Sequence, residues 1–489
     1  MGRAGAVRSR GVALLAAGVV LAAGCSGGEQ QSAPVDPKAL ADAVQLDAVT
    51  SHLAALERIA ADNGGNRALG TAGYDASVDY VVDLLGDAGF DVRTPEFDTT
   101  SFEVDHEELA VDGSPMEVRA LGLSPSTGRD GLTARVVRIA PDDTPGCEES
   151  DYDSADAAGA VVIVDRGVCT FALKEQIAAE QGAAALLVAN NEDGPLVGAG
   201  LGADAQPRIP VGGVAGPDVD RLAAASTVTL TLATRTEKQR SRNVVTQTRT
   251  GSTDDVVVVG AHLDSVPEGP GINDNGTGVA AVLETALQLG SEPGVENAVR
   301  FAFWGAEEVG LVGSSSYVES LSEDERQDIA LYLNFDMLGS PNSGYLVFDG
   351  DDSDAVGEGP GPEGSAGIER TFARYFDERG IAVVGTDFDG RSDYGPFVAL
   401  GIPSGGVFTG ADEVKTAEEA VRWGGVADEP FDPNYHTPDD VLADIDRAAL
   451  AAAASAVAYG TGAYAMSVEG PDGVPTGEQR ARVRAEFTE

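Results

Sequence analysis

Basic residues are scarce in this sequence. Lys and Arg together number 32, against 80 Asp and Glu, and the formal net charge is −48. A surface of that sign repels phosphate backbones, so a nucleic-acid partner is not expected. The acidic residues are spread along the chain rather than gathered in one tail. A strongly solvated surface therefore accounts for most of them.

Long apolar runs are also lacking. The N-terminal run from Gly11 to Ala23 has 13 residues, fewer than the roughly 20 that cross a bilayer. It follows three arginines and ends in small residues, which is typical of an export signal, here residues 1–24. The alanine-rich stretch 448–466 is interrupted by Gly460 and Gly462. We expect this stretch to be a terminal helix that packs on the body of the protein.

Cysteine is limited to three residues. The first ends the sequence "AAGC", which resembles the lipobox of bacterial lipoproteins, although Leu21 lies one place further from the cysteine than the favoured position. The resemblance predicts that Cys25 carries a lipid and that residues 25–38 are a lipid-anchored linker. The protein would then be exported and held at the outer face of the bacterial cell membrane, with this anchor as its membrane contact. The alternative is an ordinary secretory signal whose cysteine is incidental.

The other two cysteines are Cys147 and Cys169. An exported protein meets oxidising conditions, so such a pair is expected to be bridged rather than free. The alternative is two separate buried thiols.

The chain is too long for one ordinary domain, and the pattern of helical and strand runs changes along it. Residues 39–110 and 241–467 alternate helical and strand patterns, including "DDVVVVGAHLD", an apolar strand of the type buried on both faces. Residues 111–240 carry short β-type runs separated by glycine turns around one helix. The sequence predicts an α/β body with its sheet covered by helices. A β-rich segment is inserted at 111–240, and residues 468–489 are expected to form a flexible C-terminal tail.

Polar residues follow the apolar strands of the predicted sheet. Ligands of open α/β sheets bind beyond the carboxyl ends of the strands, so these side chains are expected to meet in one crevice. Histidine is rare, with four residues in the chain, yet two of them belong to this set. Two imidazoles with several carboxylates suit zinc or its first-row neighbours better than calcium or magnesium. The set is His262, Asp264, Asp274, Glu307, Glu308, Asp336 and His436.

Seven ordered motifs carry a resemblance to the co-catalytic zinc aminopeptidases of peptidase family M28, over most of residues 40–465. They are "GNRALGTAGYDAS", "GAHLDSV", "GINDNGTG", "FWGAEEVGLVGS", "NFDMLG", "DGRSDYGPF" and "YHTPDD". The resemblance implies a mixed, mainly parallel sheet flanked by helices. The insertion resembles a protease-associated (PA) domain through "VVIVDRGVCTFALKEQIAAEQGAAALLVANN" and "IPVGGV". That likeness supports pairing Cys147 with Cys169.

The family resemblance implies two zinc ions per chain. One would be held by His262 and Asp336, the second by Glu308 and His436, and Asp274 would bridge them. Asp264 would orient His262 by accepting its second ring N–H.

The resemblance also implies catalytic roles. Glu307 matches the family's general base, which takes a proton from the attacking water and passes it to the leaving amine. Tyr435 matches a tyrosine that stabilises the oxyanion, and Arg391 resembles an arginine that supports this tyrosine or a substrate group. Asp439 and Asp440 either brace the loop of His436 or cap a helix.

These features predict an aminopeptidase that acts on peptides with a free N-terminus, with large apolar N-terminal residues such as leucine implied by the family. Two alternatives remain open at this point. One keeps the fold but has a single zinc, as a glutaminyl cyclase or a carboxypeptidase of the same broad family. The other is a catalytically inert surface protein that binds through its PA segment.

Overall fold

The computed structural model describes residues 32–487, apart from positions 192–193, 195, 197, 203–204, 356 and 358. The predicted signal at 1–24 and the predicted lipid attachment at Cys25 lie outside the described residues. Within the described part of the chain, no helix is both long and apolar enough to cross a membrane.

Sixteen strands and thirteen α-helices were identified in the described residues. The strands are β1 Glu96–Val111, β2 Ser114–Met116, β3 Arg119–Ala120, β4 Leu132–Ala134, β5 Val136–Arg138, β6 Val161–Asp165, β7 Ala185–Ala189, β8 Val211–Val214, β9 Val228–Arg242, β10 Val244–Gln247, β11 Ser252–His262, β12 Asn297–Trp304, β13 Ile329–Phe335, β14 Leu346–Phe348, β15 Val384–Thr386 and β16 Ser404–Phe408. The helices are α1 Pro37–Ala43, α2 Leu46–Asp62, α3 Ala72–Asp87, α4 Phe171–Glu180, α5 Val219–Ala223, α6 Gly278–Leu289, α7 Val312–Ser320, α8 Glu323–Asp328, α9 Ser365–Asp377, α10 Gly395–Val398, α11 Ala417–Trp423, α12 Arg447–Met466 and α13 Gly477–Phe487.

The body is built on a seven-stranded sheet in the order β10-β12-β11-β13-β16-β14-β15. The central pairs β12–β11, β11–β13 and β13–β16 are parallel, whereas β10–β12 and β14–β16 are antiparallel. The apolar run Val256–Val259 in β11 is fully buried, as expected for a parallel strand covered on both faces. The sheet is therefore mixed and mainly parallel, as predicted.

Helices cover both faces of this sheet. One face packs against α2, α3, α6, α9 and α12 in the largest core cluster, and the other packs against α7 and α10 around Trp304. The alanine-rich stretch predicted as a terminal helix is α12, and Leu450 and Val457 are buried in the core. A Cβ at Gly460 would lie 2.5 Å from the ring of Phe372, so the glycine lets α12 and α9 approach closely.

The inserted segment forms a separate β-rich module. A five-stranded sheet, β3-β8-β7-β6-β5, and a four-stranded sheet, β2-β1-β9-β4, enclose its apolar residues together with α4 and α5. Cys147 and Cys169 form a disulfide just before α4. The long antiparallel pair β1 and β9 carries the chain out of the body and back, with Glu96 opposite Arg242 and Val111 opposite Val228.

Both ends of the described chain pack more tightly than the sequence predicted. Residues 468–489 were expected to be a flexible tail, but α13 folds onto the body, where the Arg480 guanidinium is buried, donates to the carbonyls of Asp254 and Gln327, and pairs with Asp255. At the other end, Val35 of the predicted linker donates to the Gly294 carbonyl. Buried hydrogen bonds, which a polar composition does not reveal, explain the difference at the C-terminus.

Candidate metal and active site

The candidate ligands come from the carboxyl ends of adjacent strands. His262 is the last residue of β11, Asp336 directly follows β13, and Glu307 and Glu308 lie just beyond β12. These three strands are neighbours and parallel, so their carboxyl ends share one edge of the sheet. Asp274 and His436 reach this edge from loops.

The side chains form two groups that share Asp274. His262 Nε2 lies 3.2 Å from Asp274 Oδ1 and 3.3 Å from Asp336 Oδ1. His436 Nε2 lies 3.1 Å from Asp274 Oδ2 and 3.0 Å from Glu308 Oε2. Each group therefore has one imidazole nitrogen and two carboxylate oxygens, and the two oxygens of Asp274 are divided between the groups.

This geometry fits a divalent metal. Neighbouring ligands of a tetrahedral zinc ion with bonds of about 2.0–2.1 Å lie about 3.3 Å apart, close to the distances observed. Asp336 Oδ1 and Glu308 Oε1 are buried without a hydrogen-bond partner, and buried oxygens of this kind require a cation or donor nearby. Imidazole and carboxylate together are the ligands that zinc uses in proteins.

Close approach of loops explains the glycines around Asp274. A Cβ at Gly269 would lie 2.1 Å from the Thr437 carbonyl oxygen, in the loop that carries His436. Gly271 has a φ of 61°, and a Cβ there would lie 2.3 Å from the Asp274 carbonyl oxygen. Glycine at 269 therefore lets this loop meet the loop of His436, and glycine at 271 lets the loop fold back on itself at Asp274.

Asp264 differs in part from its predicted role. The ring nitrogen Nδ1 of His262 lies 3.2 Å from the backbone carbonyl of Asp264, whereas the Asp264 carboxylate is 3.8 Å away. That carboxylate instead accepts the backbone N–H groups of Glu307 and Glu308 at 3.2 and 3.3 Å. The chain turns sharply at Ala306, whose φ is 60°, and directs these N–H groups at Asp264. The backbone of Asp264 thus orients His262 while its side chain fixes the glutamates.

Asp336 has a partner that sequence reasoning missed. The Ser392 hydroxyl accepts from Asn334 Nδ2 at 2.8 Å and donates to Asp336 Oδ2 at 2.6 Å. This bond holds Oδ2 and leaves Oδ1 facing His262. Ser392 belongs to the quoted motif "DGRSDYGPF", but a serine in a polar loop gave no signal of this contact.

The two adjacent glutamates lie in different settings. Glu308 Oε2 lies 3.0 Å from His436 Nε2, whereas Glu307 Oε2 lies 4.0 Å from His262 Nε2. Burial, with the neighbouring Asp274 carboxylate, raises the pKa of Glu308 to about 8. Burial also raises the pKa of Glu307 well above its ordinary value, with a further contribution from Glu308 and an opposing one from His262. In the metal-free protein, Glu307 therefore holds its proton more firmly than an exposed glutamate does.

The histidines and Asp274 are strongly coupled by charge. Burial alone would lower the pKa of His436, but its hydrogen bonds to Asp274 and Glu308 raise it to about 10. Burial would raise the pKa of Asp274, but hydrogen bonds from His262 and His436 hold it below its ordinary value. Without a metal, protonated imidazoles therefore neutralise these carboxylates, and a bound cation would displace those protons.

Tyr435 and Arg391 lie at the mouth of the same site. The guanidinium of Arg391 donates to the Tyr435 hydroxyl at 3.3 Å, and it pairs with Asp412 and Glu413 at 2.8 and 3.1 Å. The Tyr435 ring stacks on the ring of His436 with centroids 3.8 Å apart. The structure therefore places both predicted residues beside the two candidate metal groups, and the Arg391 guanidinium holds the Tyr435 hydroxyl.

Arg67 is a second residue that the sequence argument left without a role. Its side chain is completely buried, and its guanidinium donates to the carbonyls of Leu263, Pro270 and Gly271. It ties together the two ends of the loop that links His262 to Asp274. Its position inside "GNRALGTAGYDAS" could have suggested importance, but not which loop it holds.

A cavity of about 80 Å³ opens beside the carboxylates. Its lining includes the carboxylate residues Asp274, Glu307, Glu308 and Asp336. The apolar residues Met337, Phe348 and Phe408 line it as well. The cavity thus combines acidic and apolar groups.

Comparison with known proteins agrees with both parts of the architecture. Residues 243–461 match the family described as Peptidase family M28, and residues 132–222 match the PA domain. The second range lies inside the predicted insertion at 111–240.

Two related sequences and one solved structure are closely similar. The probable lipoprotein aminopeptidase LpqL of Mycobacterium tuberculosis is 53% identical over 487 residues, covering 96% of this chain and 97% of that protein. Leucine aminopeptidase 2 of Arthroderma otae is 39% identical over 429 residues, covering 86% of this chain and 84% of that protein. The structure of BSAP, a zinc aminopeptidase from Bacillus subtilis, superposes with a TM-score of 0.61 at 26% identity, covering 89% of this chain and 98% of that chain.

Proposed function

The chain belongs to peptidase family M28, and from that membership we propose that it is a zinc aminopeptidase with two metal ions, Glu307 as general base and a preference for large apolar N-terminal residues. Aminopeptidase activity agrees with the names of the related proteins. Zinc agrees with the name of the similar structure.

The sharing of Asp274 is the observation that carries the proposal of two ions. One of its oxygens belongs to the group with His262 and Asp336, and the other belongs to the group with Glu308 and His436. A carboxylate divided in this way between two imidazole-containing sets is the arrangement expected of a bridging ligand. We therefore assign His262, Asp336 and Asp274 to one ion, and Glu308, His436 and Asp274 to the other.

Glu307 supplies the proton transfers of the reaction. Zinc held by the assigned ligands would supply acidification of the attacking water and polarisation of the carbonyl of the scissile peptide bond. Glu307, which lines the cavity beside the metal groups, accepts the proton of the attacking water as the C–O bond forms. It then donates the same proton to the nitrogen of the leaving peptide as the C–N bond breaks. The glutamate is regenerated, so the products are one amino acid and a peptide shortened by one residue.

Tyr435 stabilises the oxygen that becomes negative during attack. Its hydroxyl can donate to that oxygen while accepting from Arg391 at 3.3 Å, and the guanidinium strengthens it as a donor. Asp412 and Glu413 hold Arg391 from the other side. Arg391 thus acts on the reaction through Tyr435.

The substrate class is inferred from the residues that line the cavity. Its carboxylates, which include Glu307 and Asp336, suit the positive charge of a free N-terminus. Its apolar residues Met337, Phe348 and Phe408 suit a side chain such as that of leucine. The leucine aminopeptidase among the relatives supports the same preference.

We further propose that the enzyme is an exported lipoprotein, with Cys25 as the lipid-bearing residue and peptides outside the cell membrane as substrates. Support comes from the "AAGC" sequence and from the lipoprotein named among the relatives.

One experiment tests the metal content and the substrate preference. The purified protein is assayed for zinc content and for hydrolysis of a panel of aminoacyl-4-nitroanilides, before and after chelation. We expect two zinc ions per chain, the fastest turnover with leucine, and loss of activity on chelation with recovery on adding zinc. One zinc per chain together with pyroglutamate formation from glutaminyl substrates would contradict the proposal.

A further inference from the structure

We propose that Asn273 is a positioning residue that fixes the distance between the two metal positions, because it links three of the chain segments that carry their ligands. This inference rests on the proposed two-zinc function. Asn273 precedes Asp274 and is 1% exposed, so its contacts are shielded from water.

The carboxamide of Asn273 is hydrogen-bonded through both of its polar atoms. Its Nδ2 donates to Asp432 Oδ2 at 2.6 Å and to Ser340 Oγ at 3.1 Å. Its Oδ1 accepts from Gly339 N at 2.9 Å. The Thr277 hydroxyl is 3.4 Å from Oδ1 and donates its one hydrogen to the Asn273 backbone carbonyl at 2.8 Å. Both donor hydrogens of the amide are therefore used, and its oxygen has a backbone donor.

The main chain of the same residue makes a further connection. The carboxylate of Asp440 accepts from Asn273 N at 2.6 Å through Oδ1 and from Asp274 N at 3.0 Å through Oδ2. Of the two roles predicted for Asp440, bracing describes its contacts, although what it braces is the loop of Asp274. Asp440 and Asp432 are both buried, and they enclose the loop that holds His436.

These contacts tie three ligands into one unit. Asp274 is the next residue after Asn273, Gly339 and Ser340 follow Asp336 by three and four positions, and His436 lies between Asp432 and Asp440. Asp336 belongs to one metal group and His436 to the other. A shift of Asn273 would therefore change the separation of the two groups, not merely the shape of one.

The chemistry requires an amide at this position. Asp432 also accepts the backbone N–H of Asn434 at 2.8 Å through Oδ1. A carboxylate only accepts hydrogen bonds, so its partner at 273 must donate. An aspartate at 273 would place two carboxylates in contact in a buried position, while the exchanged pair, aspartate at 273 and asparagine at 432, would restore one donor and one acceptor.

The test measures zinc affinity of three variants by competition with a chromophoric chelator, alongside the zinc content and kcat of each. We expect N273D to bind zinc at least tenfold more weakly than the wild type, with kcat reduced and KM little changed. We expect the double variant N273D/D432N to regain most of that affinity, which a general loss of packing would not allow. N297D is the matched control, because Asn297 is a buried asparagine that donates to the Tyr464 carbonyl at 2.9 Å, at the opposite end of β12 from Glu307. It should lose stability but keep wild-type zinc affinity.

The outcomes separate this inference from the proposed function. Wild-type affinity in a folded N273D, or no recovery in the double variant, overturns the role of Asn273 while two zinc ions in the wild type still stand. Absence of zinc from the wild type overturns the proposed function itself. Should N273D fail to fold, D440N carries the test, since a carboxamide cannot accept both backbone N–H groups. Its zinc affinity should then fall at least tenfold, and an unchanged affinity overturns the inference.

Discussion

Glu307 and Glu308 are adjacent in sequence, yet their side chains have different neighbours. The turn at Ala306 and the bonds from their backbone N–H groups to Asp264 fix both residues. Glu308 is held in contact with His436, and Glu307 lies along the wall of the cavity. This difference predicts that similar substitutions at the two positions give different defects.

Glu307→Gln should lower kcat at least 10²-fold with zinc content unchanged, because the amide cannot accept a proton but removes none of the assigned ligands. Steady-state kinetics and metal analysis on the same preparation provide the measurement. Glu308→Gln is the matched control and should lose zinc. Unchanged hydrolysis by the Glu307 variant would rule out its role as base.

Tyr435→Phe should lower kcat about 10²-fold and leave KM nearly unchanged, because the hydroxyl would contribute mainly once negative charge develops on the substrate oxygen. The ring stacking on His436 is retained by phenylalanine, so zinc content should stay at the wild-type value. Kinetics with leucine 4-nitroanilide measure the effect. An equal rise in KM with kcat preserved would instead indicate a role in substrate binding.

For single residues, the sequence predicted those whose chemistry is distinctive but not those whose role depends on contacts made in the folded chain. The convergence of two imidazoles and several carboxylates was predictable, because these groups follow neighbouring strand ends, and their role as metal ligands stays a prediction. Asn273, Ser392 and Arg67 act through hydrogen bonds to segments 56 to 204 residues away in the chain. An asparagine or a serine in a polar loop has many ordinary explanations, and only the folded structure distinguishes among them.

At the scale of elements, long periodic or apolar patterns were predicted well. Strand β11 and helix α12 coincide closely with the runs read from the sequence. The tail was mispredicted because α13 has a polar composition, and its attachment comes from Arg480 and Arg484, which donate to backbone carbonyls of the body. Those carbonyls belong to residues more than 150 positions earlier, so no local pattern indicates them.

The disulfide belongs to the inserted module, and its loss should lower the stability of that module. Cys147 and Cys169 are separated by 22 positions, and closing a loop of that length stabilises the folded state by about 3 kcal/mol in the chain-entropy treatment. We expect the double variant Cys147→Ser/Cys169→Ser to unfold the module at a lower temperature. Calorimetry should show this loss while hydrolysis of leucine 4-nitroanilide stays near the wild-type rate. A parallel loss of zinc would instead show that the module supports the metal site.

At the scale of the whole molecule, the buried acidic groups make the metal-free protein sensitive to alkaline pH. Burial raises the pKa of Glu308 from 4.5 to about 8 and that of Asp440 from 3.8 to about 7. A carboxyl whose pKa is raised by folding costs stability as pH rises from its ordinary pKa to its folded one. His436, raised from 6.5 to about 10 by Asp274 and Glu308 against the opposing effect of burial, stabilises the fold below its ordinary pKa and loses that contribution as pH rises to the folded value. All three act in the same direction.

We therefore expect the Tm of chelated protein to fall steadily from about pH 5 to about pH 9. The depressed pKa of Asp274 acts in the opposite direction, but only below its ordinary pKa of 3.8. Zinc displaces the protons held in the site, so its affinity should rise with pH over the same range. Thermal unfolding with and without zinc at each pH measures both effects. A Tm of the chelated protein that rises with pH would contradict the burial of these groups.

The pairing of β1 with β9 places the exit and the re-entry of the inserted chain side by side on the body. A module inserted through two adjacent strands can be replaced, enlarged or lost during evolution without changing the connections of the seven-stranded sheet. The inserted module and the active site can then evolve independently within one polypeptide.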